Sequence, residues 1–142
     1  GMNTVRSTSL CVVGQGGNGS CFTLFAALAG FGTFHLIDFD RLELSNLNRF
    51  MPGSAQDVGK FKVEISAEFM AGLDPEITCQ VLPVDVRDER SEAALSASDV
   101  VVSAVDRNEI RAYLQRRCLE MKKPLENLWL LLTLSRKRLT HG

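Results

Sequence analysis

The sequence predicts an α/β fold built on a mainly parallel sheet, and three stretches carry that expectation. Residues 10–13 are a short apolar run that stops at Gly14-Gln15-Gly16-Gly17-Asn18-Gly19-Ser20, a strand running into a glycine-rich turn. Residues 33–39 form a second apolar run, which presents two acids, Asp38 and Asp40, at its C-terminal end. Residues 100–105 are a valine-rich run that again ends on an acid, Asp106. Strand, glycine turn, helix and strand make a right-handed βαβ unit with parallel pairing. The expected architecture is therefore Rossmann-like, with three layers α/β/α.

Each element follows in order. Gly1-Met2 reads as a cloning remnant, and residues 3–9 show neither a secretory nor a transit pattern, so residues 1–8 are expected to form a tail. Residues 20–29 are helix formers, apolar on nearly every face, so this helix is expected to be buried on more than one side. That excess of apolar surface predicts a contact beyond the sheet, in a C2 homodimer. After Pro52-Gly53 a helix is expected from Asp57, an acceptable N-cap, to Gly72, with Phe61, Ile65 and Phe69 at four-residue spacing. Lys60 and Lys62 then fall in its first turn, where a cation opposes the helix dipole unless an anion sits nearby.

Beyond the Asp74-Pro75 turn, residues 77–84 read as a third strand and 88–97 as a short helix. The valine-rich run is the fourth strand. Residues 107–121 form the next helix, with Ile110, Tyr113, Leu114, Cys118 and Met121 on one face and Arg111, Arg116 and Arg117 away from it. Lys122-Lys123-Pro124 ends it. Residues 128–132 are the candidate fifth strand, and the basic run Ser135-Arg136-Lys137-Arg138 closes the chain before any further βα unit. The expected division is a tail (1–8), a Rossmann-like domain (9–124) and an atypical C-terminal segment (125–142).

Bulk properties narrow the function classes. The 142 residues fit one domain with one site. With 45% hydrophobic residues, 23% charged residues and a formal net charge of -1, no general polyanion partner such as DNA is implied. The longest apolar run near the C-terminus is too short to span a bilayer. Cys11, Cys21, Cys79 and Cys118 form no CxxC pair, which excludes a legible zinc knuckle or dithiol redox motif. They read as small packing side chains in a reducing, cytoplasmic compartment.

The chemistry lies in two places. Gly14, Gly16 and Gly19 have the spacing of a dinucleotide-binding loop: Gly14 for the tight turn, Gly16 for backbone approach to phosphate, and Gly19 for close helix packing. Asp38, at the end of the second strand, is placed for ribose hydroxyls. A polar segment with Asn46, Asn48 and Arg49 follows, and Lys62 comes soon after. A nicotinamide enzyme needs one ribose-binding acid there and has no use for the extra acid, amides and cations, whereas a triphosphate does.

These motifs resemble the ThiF/MoeB/HesA superfamily, whose fold is shared by the adenylation domain of ubiquitin-activating enzymes. The corresponding residues are Gly14-Gln15-Gly16-Gly17-Asn18-Gly19, Asp38-Phe39-Asp40, Ser45-Asn46-Leu47-Asn48-Arg49, Lys62 and Asp106, and the resemblance runs from residue 10 to 124. It implies a reaction in which MgATP adenylates a carboxylate and pyrophosphate leaves. The carboxylate is typically the C-terminal glycine of a ubiquitin-like or sulfur-carrier protein, and in some relatives a group on modified tRNA. The resemblance further implies that Asp38 and Asp40 belong to the ATP site with Gly14, Gly16, Gly17 and Gly19. Asp38 would hold the ribose, Asn46 and Arg49 the phosphates, Lys62 the β- and γ-phosphates, and Asp106 the Mg2+. Arg49, Lys62 and Asp106 would then be the catalytic set.

Three features depart from the family pattern. Only Arg6 precedes the first strand where relatives carry an arginine-bearing helix that reaches a partner subunit. The protein-substrate platform expected after Pro124 is replaced by the leucine-rich, basic ending, so the chain is expected to be truncated. No downstream cysteine is placed for catalysis, and Cys118 sits on an apolar helix face. Three functions therefore remain open: an adenylating enzyme, an inactive nucleotide-binding or scaffold module, and an NAD-dependent oxidoreductase domain.

Overall fold

The computed structural model describes residues 2–128, with side chains from Val5 onward. Five strands form one sheet in the order β3-β2-β1-β4-β5: β1 (Ser9–Val13), β2 (Thr33–Ile37), β3 (Thr78–Leu82), β4 (Val100–Ser103) and β5 (Leu125–Asn127). Every pairing is parallel, with Ser9 opposite Thr33, Leu10 opposite Val100, Thr33 opposite Thr78 and Val101 opposite Leu125. The helices are α1 (Met2–Ser7), α2 (Gly17–Leu28), α3 (Lys62–Leu73), α4 (Glu92–Ala97) and α5 (Asn108–Met121). The period-two alternation of β1 separates two cores. Leu10 and Val12 pack with Leu24 of α2 and Val63 and Met70 of α3; Cys11 and Val13 pack with Leu95 of α4 and Leu114 and Cys118 of α5. The result is the three-layer α/β/α, Rossmann-like fold expected from the sequence.

Four local expectations are corrected. The residues before β1 form a helix rather than a tail, and Arg6 of α1 reaches Asp74 at 2.8 Å and Glu76 at 3.2 Å, tying the N-terminus to the entry of β3. The Arg6 guanidinium holds the Asp74 carboxyl below its ordinary range. Helix α2 starts inside the glycine loop, at Gly17, and is buried along one arc only, since Phe25 and Leu28 are 62% and 68% exposed. Helix α3 begins at Lys62 rather than near Asp57. Residues Ala55–Asp57 make a separate 3-10 turn, Gly59 takes a left-handed φ of 95°, and Phe61 pairs with Arg41 in an isolated antiparallel bridge, so a continuous helix from Asp57 is impossible.

The fifth strand is Leu125–Asn127, directly after Pro124, because the left-handed turn at Lys122 (φ 56°) brings the chain back beside β4. Residues 129–132 of the expected strand lie outside the described residues, as does the basic run 135–138. All four cysteines are free, with Cys11 and Cys118 in the core, and burial pushes the Cys11 thiol up to about 12. Among the described residues no helix is long and apolar enough to cross a membrane.

Candidate functional site

The strand order reverses between β1 and β4, and the crevice beyond their C-terminal ends is where an open parallel sheet receives ligands. A cavity of about 510 Å³ opens there, lined by Gly14, Gly16 and Gly17 of the loop, by Asp38 and Asp40 after β2, and by Asp106 after β4. Its floor is apolar: Val13, Ile37, Val84, Val86, Val105 and Ile110. A second cavity of about 350 Å³ adjoins it, sharing Phe39 and Asp40 and adding Arg41, Glu43, Asn46 and Lys62. The site is thus a cleft of two chambers, one with an apolar floor and an acidic rim and one in which the cations Arg41 and Lys62 stand beside the acids Asp40 and Glu43.

The glycine loop is shaped as its spacing predicts. Gly14 has φ +101°, a conformation that L side chains rarely adopt, and its amide donates to the Ile37 carbonyl at 2.9 Å. Gly19 lies against it: a Cβ on Gly19 would sit 2.1 Å from the Gly14 carbonyl oxygen. Gly16, by contrast, faces open space, with nothing within 4 Å of a built Cβ, so its backbone is free to meet a ligand. A Cβ on Gly17 would come 3.3 Å from the Arg49 carbonyl, which shows how closely the 3-10 turn Leu44–Arg49 abuts the loop.

Asp38 is anchored from both sides. One carboxylate oxygen accepts the Gln15 amide at 2.6 Å and the other the Asp40 amide at 2.7 Å. Burial raises its pKa, opposed by these two amide hydrogen bonds and by the positive charge of Lys62. The remaining lone pairs leave it able to accept from hydroxyls of a ligand.

Lys62 is the first residue of α3, is 8% exposed, and has no carboxylate within 4.0 Å among the described residues. Its ammonium opens to the second cavity, and beside the positive end of a helix dipole a cation there is stabilised by an anion bound in that cavity. Lys60, in contrast, is an exposed partner of Asp57 at 3.0 Å. The Asn46 carbonyl oxygen accepts the Glu43 amide at 2.8 Å in a capping box, which orients its NH2 group and holds it at the second cavity. Arg49 is exposed at the end of the same turn; it lines neither cavity and pairs with no carboxylate, Asp40 included, among the described residues. Asp106 lines the large cavity and leaves the capping position of α5 to Arg107, so its carboxylate is not spent on the helix.

The structure therefore gathers Gly14, Gly16, Gly17, Asp38, Asp40 and Asp106 around one chamber and Asp40, Asn46 and Lys62 around the other. Gly19 acts through packing, and Arg49 stands at the rim. Sequence reasoning missed the apolar floor, whose only signal was the Val84-Asp85-Val86 triplet just past β3. It also missed Asp85, which pairs with Arg87 at 2.8 Å, and Arg107, which pairs with Glu109.

Comparison with known proteins agrees with this geometry. The profile of the ThiF family matches residues 1–127. The adenylyltransferase and sulfurtransferase MOCS3 of Aedes aegypti is 32% identical over 125 residues, spanning 88% of this chain and 29% of that protein. The molybdopterin-synthase adenylyltransferase of Haemophilus influenzae is 30% identical, over 88% of this chain and 51% of that protein. Among solved structures, E. coli tRNA N6-threonylcarbamoyladenosine dehydratase, TcdA, in complex with ATP superposes with a TM-score of 0.83 at 30% identity, covering 89% of this chain and 52% of the other. The chain spans about half or less of the length of these relatives. With the family profile matched across both cavities and all five strands, this chain belongs to the ThiF family.

Proposed function

We propose that this chain binds ATP in the two-chamber cleft and activates a carboxylate as an acyl-adenylate. The observation that carries this reading is Lys62, a largely buried cation that makes no ion pair within 4.0 Å among the described residues and lines the cavity adjoining the glycine-loop chamber. A polyphosphate satisfies it. The apolar floor suits a purine, Asp38 accepts from ribose hydroxyls, and the open face at Gly16 admits the α-phosphate to the N-terminus of α2. Asn46 and Arg49 then meet the outer phosphates, with Lys62 on the β- and γ-phosphates. Two relatives are named as adenylyltransferases and a third has been seen with ATP, which supports the assignment.

In the proposed reaction a carboxylate oxygen attacks the α-phosphorus. The bond to the oxygen bridging the α- and β-phosphates breaks, its electron pair departs with pyrophosphate, and the acyl-adenylate remains. Arg49 and Lys62 offset the charge that grows on the leaving group. Among the described residues no group of three or more metal-binding side chains exists, so a resident metal cage does not fit. A Mg2+ carried in by the nucleotide does fit, because that ion keeps its phosphate and water ligands and needs only one or two carboxylates, here Asp106. When bound, it would supply further neutralisation of phosphate charge.

The proposed carboxylate is the C-terminus of a ubiquitin-like or sulfur-carrier protein, and the proposed setting is the cytoplasm. The purified chain with MgATP and such a protein is expected to release pyrophosphate only when the C-terminal carboxylate is present. ATP binding without release overturns the catalytic claim in favour of a nucleotide-binding scaffold, and NAD binding in place of ATP overturns the nucleotide assignment. The exposed Phe25 and Leu28 of α2 are proposed to lie in a homodimer contact. Sedimentation should give a dimer that Phe25→Glu dissociates; a monomer at high concentration refutes it.

A further inference from the structure

Gln15 looks like a loop residue in sequence and is a fully enclosed polar side chain behind the site, with none of its surface exposed. Its carboxamide is saturated by three elements. The NH2 group donates to the Gly14 carbonyl at 3.2 Å and to the Thr23 hydroxyl at 2.9 Å, and its oxygen accepts from the Ser66 hydroxyl at 2.8 Å. The direction of these bonds is fixed from outside. Thr23 gives its own proton to the Gly19 carbonyl at 2.8 Å, so it must accept from Gln15, which leaves the carboxamide oxygen to face Ser66. The backbone amide of the same residue holds Asp38.

We infer that Gln15 is a positioning residue that sets Lys62 against the glycine loop. Ser66 lies one turn after Lys62 on α3, whose first amide, that of Lys62, donates to the Asp40 carbonyl at 3.0 Å; the Gln15 to Ser66 bond is a second tie, made by side chains and reaching the glycine loop itself. With the start of α3 held at Asp40, the Gln15 carboxamide fixes how its next turn, and with it the Lys62 side chain, stands against the loop. Since Asp38 is tied to the same residue's backbone, one buried side chain registers the ribose acid, the phosphate loop and the cation. This inference rests on the ATP-site reading for its functional consequence, though not for its structural content.

The test uses Gln15→Met, close to isosteric, and Ser66→Ala, which removes one hydroxyl and keeps the fold safe if the first variant unfolds. Two readouts are taken on the full chain: amide hydrogen exchange without nucleotide, and calorimetric affinity for ATP and for AMP. Ser66→Ala is expected to speed exchange in residues 14–19 as well as in the first turn of α3, although the two lie some 50 residues apart in sequence. Each variant should lose ATP affinity roughly 3- to 10-fold, the scale of one neutral hydrogen bond, with AMP affinity nearly unchanged because AMP lacks the phosphates that Lys62 faces. Unaltered exchange at the loop in Ser66→Ala, or equal losses for ATP and AMP, overturns the positioning role. If the wild type binds no ATP, the functional reading fails, and the exchange data alone still decide whether Gln15 couples the two elements.

Discussion

Lys62→Met is expected to weaken MgATP binding by roughly 10- to 150-fold, about 1.5 to 3 kcal/mol, the range of a hydrogen bond to a charged group. Methionine keeps the aliphatic stem that α3 packs and removes only the ammonium. Because the side chain is largely buried and its ammonium makes no ion pair within 4.0 Å among the described residues, its loss should leave the melting temperature unchanged or raise it. Binding and stability thus move apart, which an indirect effect through unfolding would not produce. Arg49→Ala should lose less affinity, since Arg49 sits exposed at the rim and its charge acts partly through solvent. Calorimetry with and without Mg2+ on the three proteins checks both statements. Equal affinities for Lys62→Met and wild type would remove Lys62 from the mechanism.

Gly19→Ala should carry the largest stability cost of any single methyl in the chain's glycine loop. The new Cβ would stand 2.1 Å from the Gly14 carbonyl oxygen and 2.8 Å from its carbon, and both belong to backbone that cannot swing away. Gly14 is pinned by its own positive φ and by its amide bond to Ile37, and Ala104 behind it donates to the Val13 carbonyl at 2.8 Å. Relief requires α2 to lift off the sheet, so the expected cost is about 3 kcal/mol or more. For a chain of this size that is a fall of roughly 10 °C in melting temperature. Gly16→Ala is the control: with open space around the new methyl it should melt like wild type and lose nucleotide affinity instead. A Gly19→Ala protein as stable as wild type would contradict the packing described for this turn.

Much of the site could be read from the sequence because its chemistry sits in short, locally decided stretches. A glycine turn between an apolar run and a helix, two acids closing a strand, and an Asn-and-Arg segment before a lysine each announce themselves within fewer than twenty residues. The inner strands β1 and β4 were legible for the same reason, since strands buried on both faces read as apolar runs whatever lies around them, whereas the half-exposed β5 was placed three residues too late. The helix boundaries were less so. Asp57 makes a plausible N-cap in sequence, yet Gly59 and the Arg41 to Phe61 bridge take the chain through an extra turn, and that bridge joins residues 20 apart. Helix α1 is six residues long, too short for periodicity to declare, and Arg6 holds it through partners 68 and 70 residues away.

By itself the sequence determined the α/β class, the parallel βαβ start, the glycine loop and the identity of the charged residues around it, since each depends on local patterning and residue chemistry. Only the tertiary structure decided which of those charges are spent and which are free. Lys60 is paired with Asp57 and the largely buried Lys62 makes no ion pair within 4.0 Å among the described residues, while Asp106 is released from capping by Arg107. It also decided that Gln15 is a buried junction rather than a solvated loop residue, and that the cleft has an apolar floor assembled from β1, β2, β4, α5 and the segment after β3. The physical reason is the same throughout. Burial and ion pairing depend on neighbours brought together from distant parts of the chain, and no local window contains them.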